Sequence, residues 1–220
     1  MKYKYLLFDL DGTLVNTTEG VLKSAQFALK HFGISQPLNK LMNFFGPPLK
    51  VSFTTLYGLT DEQADEAIKL YLERYEAKGM AESCVYPEIP NLLEKLKKAG
   101  YKLGVATSKF EGHAIETLEN HGIVSFFDYV TGANIDETIS KKDEVIEESL
   151  RRFGISENRS SVLMIGDMKY DIIGAKKTGI DSYGIYTGTA NENEHENEGA
   201  TYIAYSFKEL EDKLLGEFLN

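Results

Sequence analysis

Phe8-Asp9-Leu10-Asp11-Gly12-Thr13 is the stretch that decides the fold. It closes a short apolar and aromatic run, Tyr3 to Leu10, and leads into an Asp-Gly turn. An apolar run of that length bounded by a turn reads as a buried strand, and this one carries Asp9 to its carboxyl end. Taken alone, the Asp11-Gly12 pair says only that the chain turns.

Beyond that turn the pattern becomes helical. Val21, Leu22, Ala25, Ala28, Leu29 and Phe32 recur at helical spacing and Gly33 follows as a stop. A second helix is expected from Thr60-Asp61-Glu62, where Thr60 caps and the acidic residues suit the positive helix end, through Ala64, Ala67, Ile68, Leu70, Tyr71 and Tyr75. Gly46-Pro47-Pro48-Leu49 separates the two as an irregular loop. After Tyr86-Pro87 helices and strands alternate: a helix through Leu92, Leu93 and Leu96 ends at Gly100, and strand-like runs span 102–106, 129–131, 162–165 and 182–186. Helical patterns at 114–120, 144–153 and 172–177 separate these runs. Such alternation implies an α/β fold, a Rossmann-like parallel sheet sandwiched by helices through right-handed crossovers, with ligands at the strand carboxyl ends. The expected organisation is a discontinuous core, 1–15 and 81–220, with an α-helical cap domain, 16–80, inserted after the first strand. Asn191 to Glu198 reads as a polar surface loop, and Phe207 to Phe218 as a closing helix.

Composition narrows the function classes. With 220 residues, 42% hydrophobic and 26% charged, the chain is an ordinary folding sequence. A net charge of −10 excludes a general role on nucleic acid or an anionic membrane, both of which need a broad excess of Lys and Arg. One phosphate is still compatible with it, because a metal ion and a few close donors outweigh a screened distant field. The single cysteine, Cys84, has no intramolecular disulfide partner, and His31, His113, His121 and His195 lack metal-ligand spacing. The first apolar run is too short for a signal-peptide core or a membrane span, so a cytoplasmic location is expected. Oligomeric state is not legible.

Unusual polar residues fall just past the expected strand ends: Asp9 and Asp11, Thr107-Ser108-Lys109, Lys142 at a helix start, and Gly166-Asp167 with Asp171. In this order they resemble the four motifs of the haloacid dehalogenase-like hydrolase superfamily, across almost the whole chain. Within it the sequence is similar to the phosphoglycolate phosphatase-like group, which carries a helical cap and a Gly-Pro-Pro-Leu loop like residues 46–49. The resemblance implies a phosphatase acting on a small phosphorylated metabolite with Mg2+ as cofactor. Asp9 is then the nucleophile and Asp11 the general acid/base. Thr107, Ser108, Lys142 and the loop at Gly46 bind substrate, and Asp9, Asp11 and Asp167 form the metal site with Asp171 in its outer shell. Lys141 stands beside Lys142 as the alternative phosphate ligand, and Lys109 is left outside the catalytic set. Asn16 departs from the acidic or serine-type residue of many relatives.

The chemistry asks for these residue types. A carboxylate attacking phosphorus forms an acyl phosphate and divides one hard transfer into two easier ones. A second carboxyl two residues away can protonate the leaving alcohol and later deprotonate water. Magnesium takes oxygen ligands, and Lys142 and Thr107 offer charge and donors to the phosphoryl oxygens. Because Asp11 is present, phosphate chemistry is favoured over dehalogenation, since a leaving halide needs no proton. A phosphomutase working through the same intermediate, and a regulatory module that binds magnesium and phosphate without turnover, are the competing readings.

Overall fold

The computed structural model of the protein describes residues 1–44, 47–134 and 138–218. In chain order its strands are β1 (Tyr5–Phe8), β2 (Val15–Asn16), β3 (Cys84–Val85), β4 (Lys102–Phe110), β5 (Tyr129–Ala133), β6 (Val162–Gly166), β7 (Asp181–Ile185) and β8 (Tyr202–Ala204). The helices are α1 (Thr18–His31), α2 (Leu49–Val51), α3 (Asp61–Arg74), α4 (Ile89–Lys98), α5 (Glu111–Asn120), α6 (Lys142–Phe153), α7 (Lys169–Thr178), α8 (Glu194–Glu198) and α9 (Phe207–Asp212).

Six strands form one sheet in the order β5-β4-β1-β6-β7-β8, with parallel pairing throughout. Successive residues of β1 enter opposite faces, as the strand period requires. Leu6 and Phe8 join the cluster with Leu92, Leu96 and Leu118, while Leu7 joins Val145, Ile146 and Leu150 on the other side. The sheet is therefore covered on both faces, which is why its strands are apolar runs without alternation. The α/β class expected from the sequence is the one observed.

Topology places the site. The chain builds outward from β1 through β4 to β5, then returns to the other side of β1 with β6. Phe8 is level with Val105 on one neighbour and Ile165 on the other. The residues that follow, Asp9, Ala106-Thr107 and Gly166-Asp167, thus emerge together at the carboxyl edge, at the point where strand order reverses.

Contacts divide the chain into two units, Met1–Val15 with Val85–Asn220, and Asn16–Cys84. In the second, α1 and α3 supply buried Ala25, Ala28, Leu29, Ala64, Ala67 and Tyr71. Gly20 lies so close to Gly79 that a Cβ there would stand 2.0 Å from the Gly79 carbonyl oxygen. At the start of α3 the Thr60 hydroxyl accepts from the Gln63 amide at 3.3 Å and the Gln63 side chain accepts from the Thr60 amide at 3.0 Å. That reciprocal cap satisfies two of the helix's orphan donors. Among the described residues no helix is long and apolar enough to cross a membrane.

Two expectations need correction, and one short strand lies outside them. β4 runs on to Phe110, with its register against β5 shifted between Ala106 and Phe110, because Thr107-Ser108-Lys109 continues as irregular strand. β8 is only three residues long, too short for its sequence pattern to announce it. The segment 191–198 is not a surface loop, since it holds α8 with Glu194 and His195 buried. Gly184 leaves room for the His195 ring, where a Cβ would approach its Cγ to 2.4 Å.

Candidate active site

The turn after β1 sets the first two acids apart. The Asp9 amide donates to the Ile165 carbonyl at 2.8 Å, extending the β1–β6 ladder by one bond and fixing Asp9 between the two strands. Gly12 has φ +84°, a conformation that costs a side-chain-bearing residue dearly, and its amide donates to the Val15 carbonyl. A Cβ at this position would also stand 2.1 Å from Asp167 Oδ2. Glycine is thus required here both for the turn and for the carboxylate packed against it.

Asp9, Asp167 and Asp171 come together as a buried group, each offering one carboxylate oxygen, all within 4.8 Å of one another. Lys142, the first residue of α6, reaches into the group. Its Nζ lies 2.8 Å from Asp9 Oδ1 and 2.9 Å from Asp171 Oδ1, and donates to the Ala106 carbonyl at 3.0 Å. Lys141 is exposed and pairs with Glu144, so the structure brings Lys142 and not its neighbour into the site. Asp171 Oδ2 also accepts from the Met168 amide at 3.1 Å, so this residue closes the start of α7 as well as facing Lys142. One side chain thus closes the helix start and faces the Lys142 ammonium at once.

Asp11 stands outside that group. Its two oxygens accept from Lys109 Nζ at 3.0 and 3.3 Å, and the Lys109 side chain is 9% exposed. Thr107 is buried, and its hydroxyl accepts from the Lys109 amide at 3.2 Å. Ser108 is half-buried beside it. Gly46 lies outside the described residues.

Three carboxylates against one ammonium leave the group with excess negative charge. Burial lifts the Asp9 carboxyl to about 6; Lys142 pulls it down and Asp171 pushes it further up. Burial also holds Asp167 well above the ordinary carboxylate range, with Asp9 and Asp171 adding to the effect and hydrogen bonds from Thr13 and Thr189 opposing it. For Lys142 burial acts downward, but Asp171 and Asp9 outweigh it and hold the ammonium above its usual value. A divalent cation among these oxygens would reverse the penalty on the acids, which is the sense in which the group fits a metal. An all-oxygen donor set suits a hard ion such as magnesium.

A model of the haloacid dehalogenase-like hydrolases matches residues 6–185, from β1 to the end of β7. The protein belongs to this family. As a haloacid dehalogenase-like hydrolase it is 38% identical over 195 residues to a 5'-nucleotidase of Pseudomonas aeruginosa, covering 88% of this chain and 87% of that one. It is 36% identical over 178 residues to the tyrosine-protein kinase PtkA of Mycobacterium tuberculosis, covering 80% of this chain and 60% of the kinase. The crystal structure of a predicted phosphatase from Clostridium acetobutylicum superposes with a TM-score of 0.93 at 40% identity, covering 98% of this chain and 99% of the other. The relatives share the hydrolase scaffold and differ in the activity their names carry.

Several site residues escaped the sequence reading. Lys109 meets Asp11 through the irregular course of β4, which the apolar pattern does not show. Thr13 donates to Asp167 Oδ1 at 2.6 Å. Thr187 donates to the Gly12 carbonyl at 2.7 Å, Thr189 donates to Asp167 Oδ2, and Glu194 accepts from the Lys169 amide at 2.9 Å. Lying in a polar stretch without periodicity, these last three gave no signal beyond their hydrogen-bonding types.

Proposed function

We propose that this hydrolase is a cytoplasmic, magnesium-dependent phosphatase that cleaves a small phosphate monoester, of the phosphoglycolate type, through a phosphoryl group carried on Asp9. The observation that carries the reading is the buried Asp9 carboxylate at the switch point, 2.8 Å from the Lys142 ammonium and grouped with Asp167 and Asp171. Asp9 and Asp167 would hold the ion, with Asp171 behind them joined to Lys142. When bound, magnesium offsets the charge of the phosphate and polarises its oxygens.

The chain's own residues account for the rest. Asp9 attacks phosphorus, forming a bond from its carboxylate oxygen as the bond to the leaving alcohol breaks. Asp11, two residues on, gives that alcohol a proton and afterwards takes one from the water that releases phosphate. Lys142 presents its charge to the transferring phosphoryl oxygens, and Thr107 and Ser108 supply further donors at the end of the regular part of β4. We assign substrate choice to the inserted helical unit, in the role of a cap.

A second substrate reading, a nucleoside monophosphate, is favoured by the relative from Pseudomonas aeruginosa, a 5'-nucleotidase of nearly matching length. One screen addresses both: release of inorganic phosphate from phosphoglycolate, nucleoside monophosphates, sugar phosphates and pyrophosphate, with magnesium and with EDTA. We expect magnesium-dependent release from at least one ester. No hydrolysis of any ester by folded protein under any metal condition removes the proposal, and isomerised sugar phosphate without phosphate release would replace it with a mutase.

A further inference from the structure

We propose that Thr189, on the segment leaving β7, is a positioning residue that clamps Asp167 and gives the site its preference for magnesium over calcium. The inference rests on the metal-site reading above, and concerns a residue outside the family motifs that carried that reading.

Asp167 is held from three directions. Thr13 donates to Oδ1 at 2.6 Å and Thr189 donates to Oδ2, while the Gly12 backbone lies against the carboxylate so closely that no Cβ fits between them. The side chain is fully buried, so water does not compete for these positions. Thr187 ties the same segment to the Gly12 carbonyl at 2.7 Å, and its hydroxyl lies 3.3 Å from that of Thr189. Gly188 between them has φ +106°, so the chain bends where a threonine would resist. The far end of the segment is fastened too: buried Glu194 accepts from the Lys169 amide at 2.9 Å and from the Asn191 side chain at 2.8 Å. The segment thus reaches the turn after β1, the metal carboxylate and the start of α7.

The consequence is geometric. A carboxylate whose two oxygens each accept a hydroxyl proton is fixed in rotation and has donated part of its lone-pair capacity. It suits a single short contact to a small ion with strict octahedral demands. Calcium takes more oxygens at longer distances and often grips both oxygens of one carboxylate, which asks the group to turn. Loosening Asp167 should therefore harm magnesium binding more than calcium binding. Outer hydrogen-bond partners of metal ligands typically tune affinity by about 10–100-fold.

The test is calorimetric titration of metal-free protein with magnesium chloride and with calcium chloride, without substrate, for the wild type, Thr189→Val, Thr189→Ala and Thr189→Ser. We expect Val to weaken magnesium binding by roughly 10-fold with a smaller change for calcium, and Ser, which restores the hydroxyl, to return the wild-type ratio of affinities. Thermal melting of each metal-free variant identifies any that fail to fold; should Val fail, Ala carries the comparison. If the wild type binds magnesium and folded Val or Ala keeps the magnesium-to-calcium ratio within about twofold, far below the 10-fold expected, the clamp is wrong and the metal site stands. If the wild type binds neither ion, the metal-site reading fails and the clamp with it.

Discussion

The two units of the chain treat buried charge in opposite ways. In the helical unit Arg74 forks onto Glu82 at 2.9 and 3.0 Å and donates to the Ser24 hydroxyl at 3.1 Å, while Lys23 stands 3.3 Å from Glu82 Oε1, an oxygen it shares with Arg74. Lys23 also pairs with Glu19, so two cations meet two anions. In the core, Lys142 is the one cation among the described residues paired with Asp9 and Asp171, with Asp167 beside them. A network built for stability balances its charges and leaves them partly in water. One that gathers like charges out of water stores a cost, and such a cost persists where binding or catalysis makes use of it.

The strongest way to break that contrast is to remove a carboxylate from the core. Asp9→Asn keeps the shape and an oxygen for Lys142 but is a poor nucleophile, so turnover should fall on the order of 10⁴–10⁶-fold, as when other nucleophiles are removed. The same change takes one of three crowded negative charges away. Without metal, at neutral pH, the variant should melt about 2–4 °C above the wild type, corresponding to roughly 1 kcal/mol in a chain of this size. Phosphate-release assays and melting curves in EDTA check the two halves separately. Near-normal activity would take Asp9 out of the mechanism, and a lower melting temperature would show that the acids are not in conflict.

Removing the cations compares the two regions directly. Lys142→Met leaves three buried carboxylates with no ammonium, and breaking a buried pair from one side typically costs about 3–5 kcal/mol. Arg74→Met leaves Glu82 with Lys23 and with access to water, so its loss should be nearer about 1 kcal/mol. Urea unfolding of both variants without metal measures the difference. Equal losses would mean that burial does not separate the two networks.

The legibility of this molecule follows the same physical divide. The strands at 102–106, 129–131 and 162–165 were readable because a two-faced sheet demands uninterrupted apolar runs, and α1 and α3 because each repeats its buried residues at helical spacing. Asp9, Lys142 and Asp167 were readable because each directly follows or opens such an element, and the structure brings them together. Asp11 also follows β1, but the turn at Gly12 directs its carboxylate to Lys109, and no pattern along the chain predicts that direction. Thr187, Thr189 and Glu194 were hidden for another reason: their contacts are made across 22–175 positions of sequence, through hydroxyl and carboxylate groups that look like loop polarity. β8 and α8 are short, and α8 is held by packing, with buried His195 against Gly184. Periodicity records which face is buried, but not which polar group meets which.

The smallest effect sharpens the comparison through its sign. Arg74 is the first cause holding Glu82 below the usual carboxylate range, against the opposing effect of burial. Its folded pKa lies under the unfolded value, so its stabilisation is present at neutral pH and is lost only as pH falls through the depressed value. Asp9 is the reverse case, lifted by burial from 3.8 to about 6. The metal-free fold binds that proton more tightly than the unfolded chain, so the penalty is complete above about pH 6 and is relieved as pH falls toward the unfolded value. In EDTA, the gap by which Asp9→Asn exceeds the wild type should therefore shrink between about pH 7.5 and 5. The deficit of Glu82→Gln, under about 1 kcal/mol for a partly exposed group, should stay level across that window and close only in stronger acid. Stability measured by urea unfolding across this range decides it: two gaps that move together with pH would mean that both networks answer to net charge alone, whereas separate windows tie each to its own pairing.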